Sequence, residues 1–259
     1  MKKTLIALAV AASAAVSGSA MAWTQNGSGG SVDLGGTLTP TTKATPWEVK
    51  TGAAVTGLNA QIQKGQKEVS ITVNKSIPVL GIRVADAVNK TFMGGKRGII
   101  PQIDYNGAIN TSQFNGGVVP VNLVVKDAQD QTIGKMVVDM IAYGESSWGN
   151  PGAGHKQVFA SESGSAFFGG LGESKSAVFS NGLYERVVAL DSEYVANYIS
   201  QGGNTEIGNE VFQDAKQFSA FYGSGIEQGK IIKITLDQAA SSDAPIQWNA
   251  SLPVTVFYQ

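Results

Sequence analysis

Gln247-Trp248-Asn249-Ala250-Ser251-Leu252-Pro253-Val254-Thr255-Val256-Phe257-Tyr258 is the most regular stretch of the chain. Trp248, Ala250, Leu252, Val254, Val256 and Tyr258 fall on one face; Gln247, Asn249, Ser251 and Thr255 fall on the other. A period of two is what a strand needs when one of its faces lies on a core. No strand follows it in the sequence; if it lies at a sheet edge, its unpaired backbone groups need cover.

The same alternation recurs upstream. It is carried by Val69, Ile71 and Val73, by Val119, Val121, Leu123 and Val125, by Met136, Val138, Met140 and Ala142, and by Ile232, Ile234 and Leu236. Each series predicts a half-buried antiparallel strand. Residues 126–131 lie between two of these runs and read as a hairpin loop. Ile77–Val84 and Ile99–Tyr105 are further strand candidates, each touching a proline that suits an edge or a strand start. With 32 Gly and 8 Pro, the fold is expected to be mostly β. Asp191 as cap, Glu193 in the first turn, one face of Tyr194, Val195, Tyr198 and Ile199, and a stop at Gly202-Gly203 predict one helix. A second short helix is expected around 166–171, within a stretch rich in Gly, Ser and aromatic residues.

The chain has 259 residues, 42% hydrophobic and 15% charged, with a formal net charge of −1. That supports one large core-bearing domain and gives nucleic acid no basic face to bind. With no cysteine and one histidine, disulfides, thiolate zinc sites, cysteine nucleophiles and multi-histidine metal sites are excluded; no cofactor or metal is expected. His155 has no nucleophile or orienting group around it in sequence. Gly223–Lys230 fails the phosphate-loop spacing. The chain is not expected to be an enzyme.

Residues 1–22, MKKTLIALAVAASAAVSGSAMA, have a basic start, a short apolar run and a small-x-small end. They read as a bacterial secretory signal peptide, with the mature chain starting at Trp23. Next comes Ser28–Leu38, SGGSVDLGGTL. Gly30, Val32, Leu34, Gly36 and Leu38 share one face, so this segment is able to add to a sheet edge of its own subunit or of a neighbour. In the middle of the chain, Trp148 sits in a Gly/Ser loop near His155 and Lys156. An aromatic beside polar donors suits the apolar face of a sugar. Phe167 and Phe168 read as core.

Taken together, these pieces resemble the kappa-class, FaeG-like subunits and adhesins of enterobacterial chaperone–usher fimbriae. The resemblance is carried by the signal segment, NGSGGSVDLGG at the mature start, Trp47-Glu48-Val49-Lys50 with Gly52, and Ile100-Pro101-Gln102-Ile103. Tyr222-Gly223-Ser224-Gly225-Ile226 with Gly229, and Gln247-Trp248 through Tyr258, complete it. It spans the mature chain and is weakest in the central insertion.

The resemblance implies an incomplete immunoglobulin-like sandwich, completed by donor-strand exchange, with a central insertion holding one or two short helices. It divides the chain into 1–22, a donor extension over 23–40, and a pilin domain over 41–259 with its insertion at about 144–221. Gly30, Val32, Leu34 and Leu38 would be donor residues. Leu252, Val254, Val256 and Tyr258 would form the acceptor groove and chaperone-binding strand. The implied partners are identical or related subunits, a periplasmic chaperone, an outer-membrane usher and a host glycan, with Trp148, His155 and Lys156 as the candidate glycan site. The implied route runs through the periplasm to the cell surface. Two departures stand out: no glycine near Ile246, and Ser28 where such donors often carry an aromatic. A minor pilin without an adhesive role and an outer-membrane β-barrel are the alternative readings.

Overall fold

The computed structural model describes residues 25–26, 34–39, 44–149, 152–203 and 205–259. Residues 1–43 and 44–259 form two units. In the first, residues 34–39 belong to no strand, and Leu34 and Leu38 are almost fully exposed. Gly30 and Val32 lie outside the described residues, as does the signal segment.

In chain order the second unit runs β1 (Trp47–Thr51), β2 (Glu68–Thr72), β3 (Ile77–Val84), β4 (Phe92–Met93), β5 (Pro101–Asp104), β6 (Val118–Lys126), β7 (Thr132–Gly149) and β8 (Gly154–Val158). There follow α1 (Lys175–Val178), α2 (Leu183–Leu190), β9 (Thr205–Gly208), β10 (Gln217–Ile226), β11 (Ile231–Leu236) and β12 (Thr255–Tyr258). The fold is mostly β, an immunoglobulin-like sandwich with open sheets and a helical insertion. The open sheets set aside the closed-barrel reading.

β7 organises the molecule. Its first half pairs with β6 on one side and β11 on the other. Its second half pairs with β10 and, on the far side, β8. β1 and β3 extend the sheet beyond β10, and β2 extends it beyond β11. β12 pairs with β5 in a separate two-stranded ladder. The β6–β7 hairpin turns through residues 127–131, where the Asp127 carboxylate accepts from the Gln129 and Gln131 amides. This is a common way for aspartate to build a turn.

Burial along β7 explains the architecture. From Gly134 to Met140, buried residues alternate with exposed or half-buried ones; from Ile141 to Ser147 every residue is buried. A strand loses its alternation when both faces are covered. Ala142 faces the main core, while Ile141 and Tyr143 join Phe221 under Leu183, Val187, Leu190 and Tyr194. The helix α2 and the turn after it therefore roof the outer face.

Glycine makes the roof fit. Gly81 and Gly223 are cross-strand partners. A Cβ on Gly81 would lie 2.0 Å from the Tyr194 ring, and one on Gly223 would lie 2.4 Å from Val187. Beneath the roof the buried Glu145 carboxylate accepts from the Tyr143 hydroxyl at 2.9 Å and the Tyr198 hydroxyl at 2.8 Å. Burial first, and the neighbouring Glu145 charge second, hold both phenols far above their ordinary range, so they remain donors.

Three sequence expectations change here. The helix expected from Asp191 is one 3-10 turn, Ser192–Val195, although Asp191 does cap it through the Glu193 amide. Tyr194, packed against Gly81, fixes the chain where a longer helix would have continued. The true helix is α2, which ends at Asp191. Residues 166–171 are not helical. Phe167 and Gly169 have φ of 63° and 81°, and the Phe168 carbonyl accepts from the Ile103 amide, so this segment runs beside β5. Phe167 is core, as expected. Finally, only Thr255–Tyr258 of the expected final strand is laddered; residues 248–254 keep the alternation without the pairing.

Candidate functional site: an open groove between two unpaired edges

The unpaired part of that strand is one wall of a groove. Along 248–258 the even-numbered residues are half-buried and the odd-numbered ones exposed. Trp248, Ala250, Leu252 and Val254 all pack on the core, yet none is fully buried. Asn249 exchanges both backbone bonds with Lys126 at 2.9 Å, and this bridge attaches the wall to β6 on one side only.

The other wall is the segment between β1 and β2. After Thr51 the chain makes no strand pairing up to Gln63. Leu58 and Ile62 reach the core and Val55 is exposed. Between the walls lies a groove of about 1270 Å³. Its floor is β-branched and aliphatic: Val69, Ile71, Val79, Val121, Leu123, Val138 and Ile234. Lys64 and Asp243 are the charged residues among those lining it, and they pair with each other at 2.5 Å. Next to them Gly65 and Ala240 bind backbone to backbone at 2.7 Å, closing that end. An uncharged floor with an unpaired edge on each side has the form of a sandwich that lacks a strand. What fits it is an extended segment with apolar side chains every second residue.

Leu252 and Val254 line this groove. Val256 and Tyr258 do not: they lie past it, opposite Ile103 and Pro101 in the β12–β5 ladder, half-buried on the same inward face. Burial raises the Tyr258 hydroxyl above its ordinary pKa. The facing wall, 52–64, was missed in the sequence reading. The signal was there, because Leu58, Ala60 and Ile62 alternate with Asn59, Gln61 and Gln63.

The candidate sugar-binding residues sit on the β7–β8 ladder. Ser147 pairs with His155 and Trp148 with Gly154, so Trp148 and Lys156 share a face and His155 belongs to the other. Lys156 Nζ lies 5.0 Å from the Trp148 ring centre and also reaches the Asn209 carbonyl and the Glu210 carboxylate. His155 Nε2 is 2.7 Å from Thr205 Oγ1. The fold therefore brings Trp148 and Lys156 together and holds His155 apart. Among the described residues no cluster of His, Cys, Asp and Glu suits a metal ion, and no helix is long and apolar enough to cross a membrane.

A mostly β, immunoglobulin-like sandwich with open sheets and a long apolar groove defines the class of protein. The family model described as "Fimbrial, major and minor subunit", that of K88 fimbrial proteins, matches residues 1–259. K88 fimbrial proteins AB and AC of Escherichia coli are each 30% identical to the chain, with 100% of both sequences covered. The F41 fimbrial protein of Escherichia coli is 28% identical, again over 100% of both sequences. The chain belongs to the K88 fimbrial family.

Proposed function

We propose that this fimbrial subunit polymerises by strand donation. The extension around Val32, Leu34 and Leu38 of one copy enters the groove between 52–64 and 242–254 of the next. The observation that carries this reading is the groove itself, apolar and unpaired along both walls, in a chain that also presents Leu34 and Leu38 exposed outside any strand. Burying three aliphatic side chains at ~1.5–3 kcal/mol each gives roughly 5–9 kcal/mol as an upper bound. Ladder bonds along both walls add about 0.5–1.5 kcal/mol apiece. An empty groove is an aggregation hazard, so before assembly it is held by a strand lent by a periplasmic chaperone, and the exchange takes place at an outer-membrane usher.

The test is unboiled gel electrophoresis of surface-extracted fimbriae. Wild type is expected to show high-mass species in SDS that collapse on boiling. The Val32→Asp, Leu34→Asp double variant is expected to lose them. Equal ladders from both would overturn the proposal.

The same subunit is proposed to adhere to host glycans through the β7–β8 hairpin. What supports this is the half-buried Trp148 ring beside Lys156. Trp148→Ala fimbriae are expected to assemble normally and to bind host cells at least about tenfold less, the loss of one aromatic–sugar stack.

A further inference from the structure

We propose that a pocket separate from both the groove and the β7–β8 hairpin, on the outward face of the β5–β12 ladder, binds the ring of a neutral hexopyranoside. It has a volume of about 410 Å³ and is lined by Asp104, Ile109, Asn110, Phe168, Gly169 and Phe257 among others. That size lies within the usual range for small-ligand sites, about 300–1,000 Å³.

The strand arrangement places an aromatic residue on each side of β5. Phe257 is opposite Gln102 in the β12 ladder, and Phe168 bridges to Gln102 from the other side. Asp104 is two residues further along, on the same face. Phe257 is 45% exposed, leaving apolar surface open to a ligand. The pocket's polar atoms have unused capacity. Asp104 Oδ1 accepts from the Asn106 amide at 2.6 Å, and among the described residues Oδ2 has no partner. Asn110 spends its oxygen on the amide and hydroxyl of Ser112, so its amide nitrogen is a free donor. Thr111 donates its hydroxyl to Glu173, which leaves its oxygen as an acceptor.

The walls are fixed before any ligand arrives. The Ile103 amide binds the Phe168 carbonyl at 2.8 Å. A Cβ on Gly169 would lie 2.0 Å from the Ile103 carbonyl oxygen, so only glycine lets the two backbones approach. Ala108 closes a turn on Tyr105 at 3.0 Å.

This inventory selects a chemistry. Among the described residues no lysine or arginine lines the pocket, and the Asp104 carboxylate repels anions. Acceptors and a donor together beside two aromatic rings match hydroxyl groups around a ring with an apolar face. An ammonium group would use the carboxylate and the ring faces but leave the Asn110 donor without an acceptor.

The test is saturation-transfer NMR on assembled fimbriae. The probes are the methyl glycosides of galactose, glucose and mannose, with n-butylammonium as the cationic probe. Phe257→Leu keeps an apolar residue and removes the ring; Asp104→Asn removes the charge. At least one glycoside is expected to show transfer that falls about tenfold in both variants and persists in Trp148→Ala. Transfer lost only in Trp148→Ala would overturn this inference and leave the hairpin reading standing. Transfer to butylammonium alone, or to no probe, would overturn it as well. Because assembled fimbriae are the sample, none of these outcomes bears on strand donation.

Discussion

The outer face under α2 and the groove between 52–64 and 242–254 are two solutions to one problem. Each is a stretch of sheet with apolar residues that its own strands leave uncovered. Over β7 and β10 the cover comes from the same chain: Val187, Leu190 and Tyr194 seat on Gly81, Gly223 and Gly225, and Leu183 on Gly117. Over the groove, the described residues of 44–259 supply no cover, and Leu252 and Val254 remain half-buried. The first face is completed by local chain and is part of the subunit's own stability. The second, in the proposed reading, is completed by another copy and contributes to the stability of the fibre.

The largest effect is expected at the roof. Gly223→Val pushes a side chain into Val187 and Tyr194, which are packed tightly on rigid strands. The cost is about 3 kcal/mol, a fall in Tm of roughly 6–12 °C for a domain this size. It should be the same in free and assembled subunits. A Tm change under 2 °C would mean that the helix is not fixed on the glycines.

The groove gives the opposite signature. Leu252→Ala is expected to cost less than about 1 kcal/mol in the free subunit, where its side chain is only half-buried. In the polymer, where the proposed donor strand would complete the burial, the expected cost is roughly 2–3 kcal/mol. Denaturant titration of both forms measures the difference, and equal losses would make Leu252 an ordinary core residue.

The smallest effect sharpens the roof side. Arg186 donates to both Glu227 oxygens, at 2.7 and 2.6 Å, tying α2 to the end of β10. The Arg186 hydrogen bonds hold the Glu227 carboxyl below its ordinary range, against the opposing effect of burial. A depressed folded-state pKa stabilises above the ordinary glutamate value of about 4.3, and that contribution is lost as pH falls through the lower folded value. Glu227→Gln should therefore cost about 1 kcal/mol at pH 7 and progressively less below about pH 4. A difference that stays constant with pH would remove the ion pair from the account.

Legibility followed the same divide. Where one face is core and the other is solvent, the period of two is visible, and β2, β6, β11 and the first half of β7 were read from alternation. Where the roof sits, both faces are buried and the pattern vanishes: Ile141 to Ser147 shows no alternation to read. α2 was missed although Leu183, Val187 and Leu190 recur at helical spacing. Its cap is Gly182 with φ of 71° and no side-chain hydrogen bond, whereas Asp191 offered a better cap to a segment that makes only one turn. The wall at 248–254 was legible and its ladder was not, because alternation records which face is buried and says nothing about which edge is paired. Leu252 and Val254 line the groove for that reason, and Val256 and Tyr258 lie one ladder further on.

β7 has a further consequence, for the time before any fibre exists. At about 3.3 Å per residue its 18 residues reach roughly 60 Å, and its partners β10 and β11 come far later in the chain. Until residues 217–236 have joined it, β7 holds β6 on one edge of its first half and has an open edge on the other. Pairing between such distant segments closes slowly, on the scale of milliseconds to seconds. Throughout that interval its longest strand is available to any other chain it meets. The length that lets β7 hold four strands together is thus also what leaves it open longest while the chain folds.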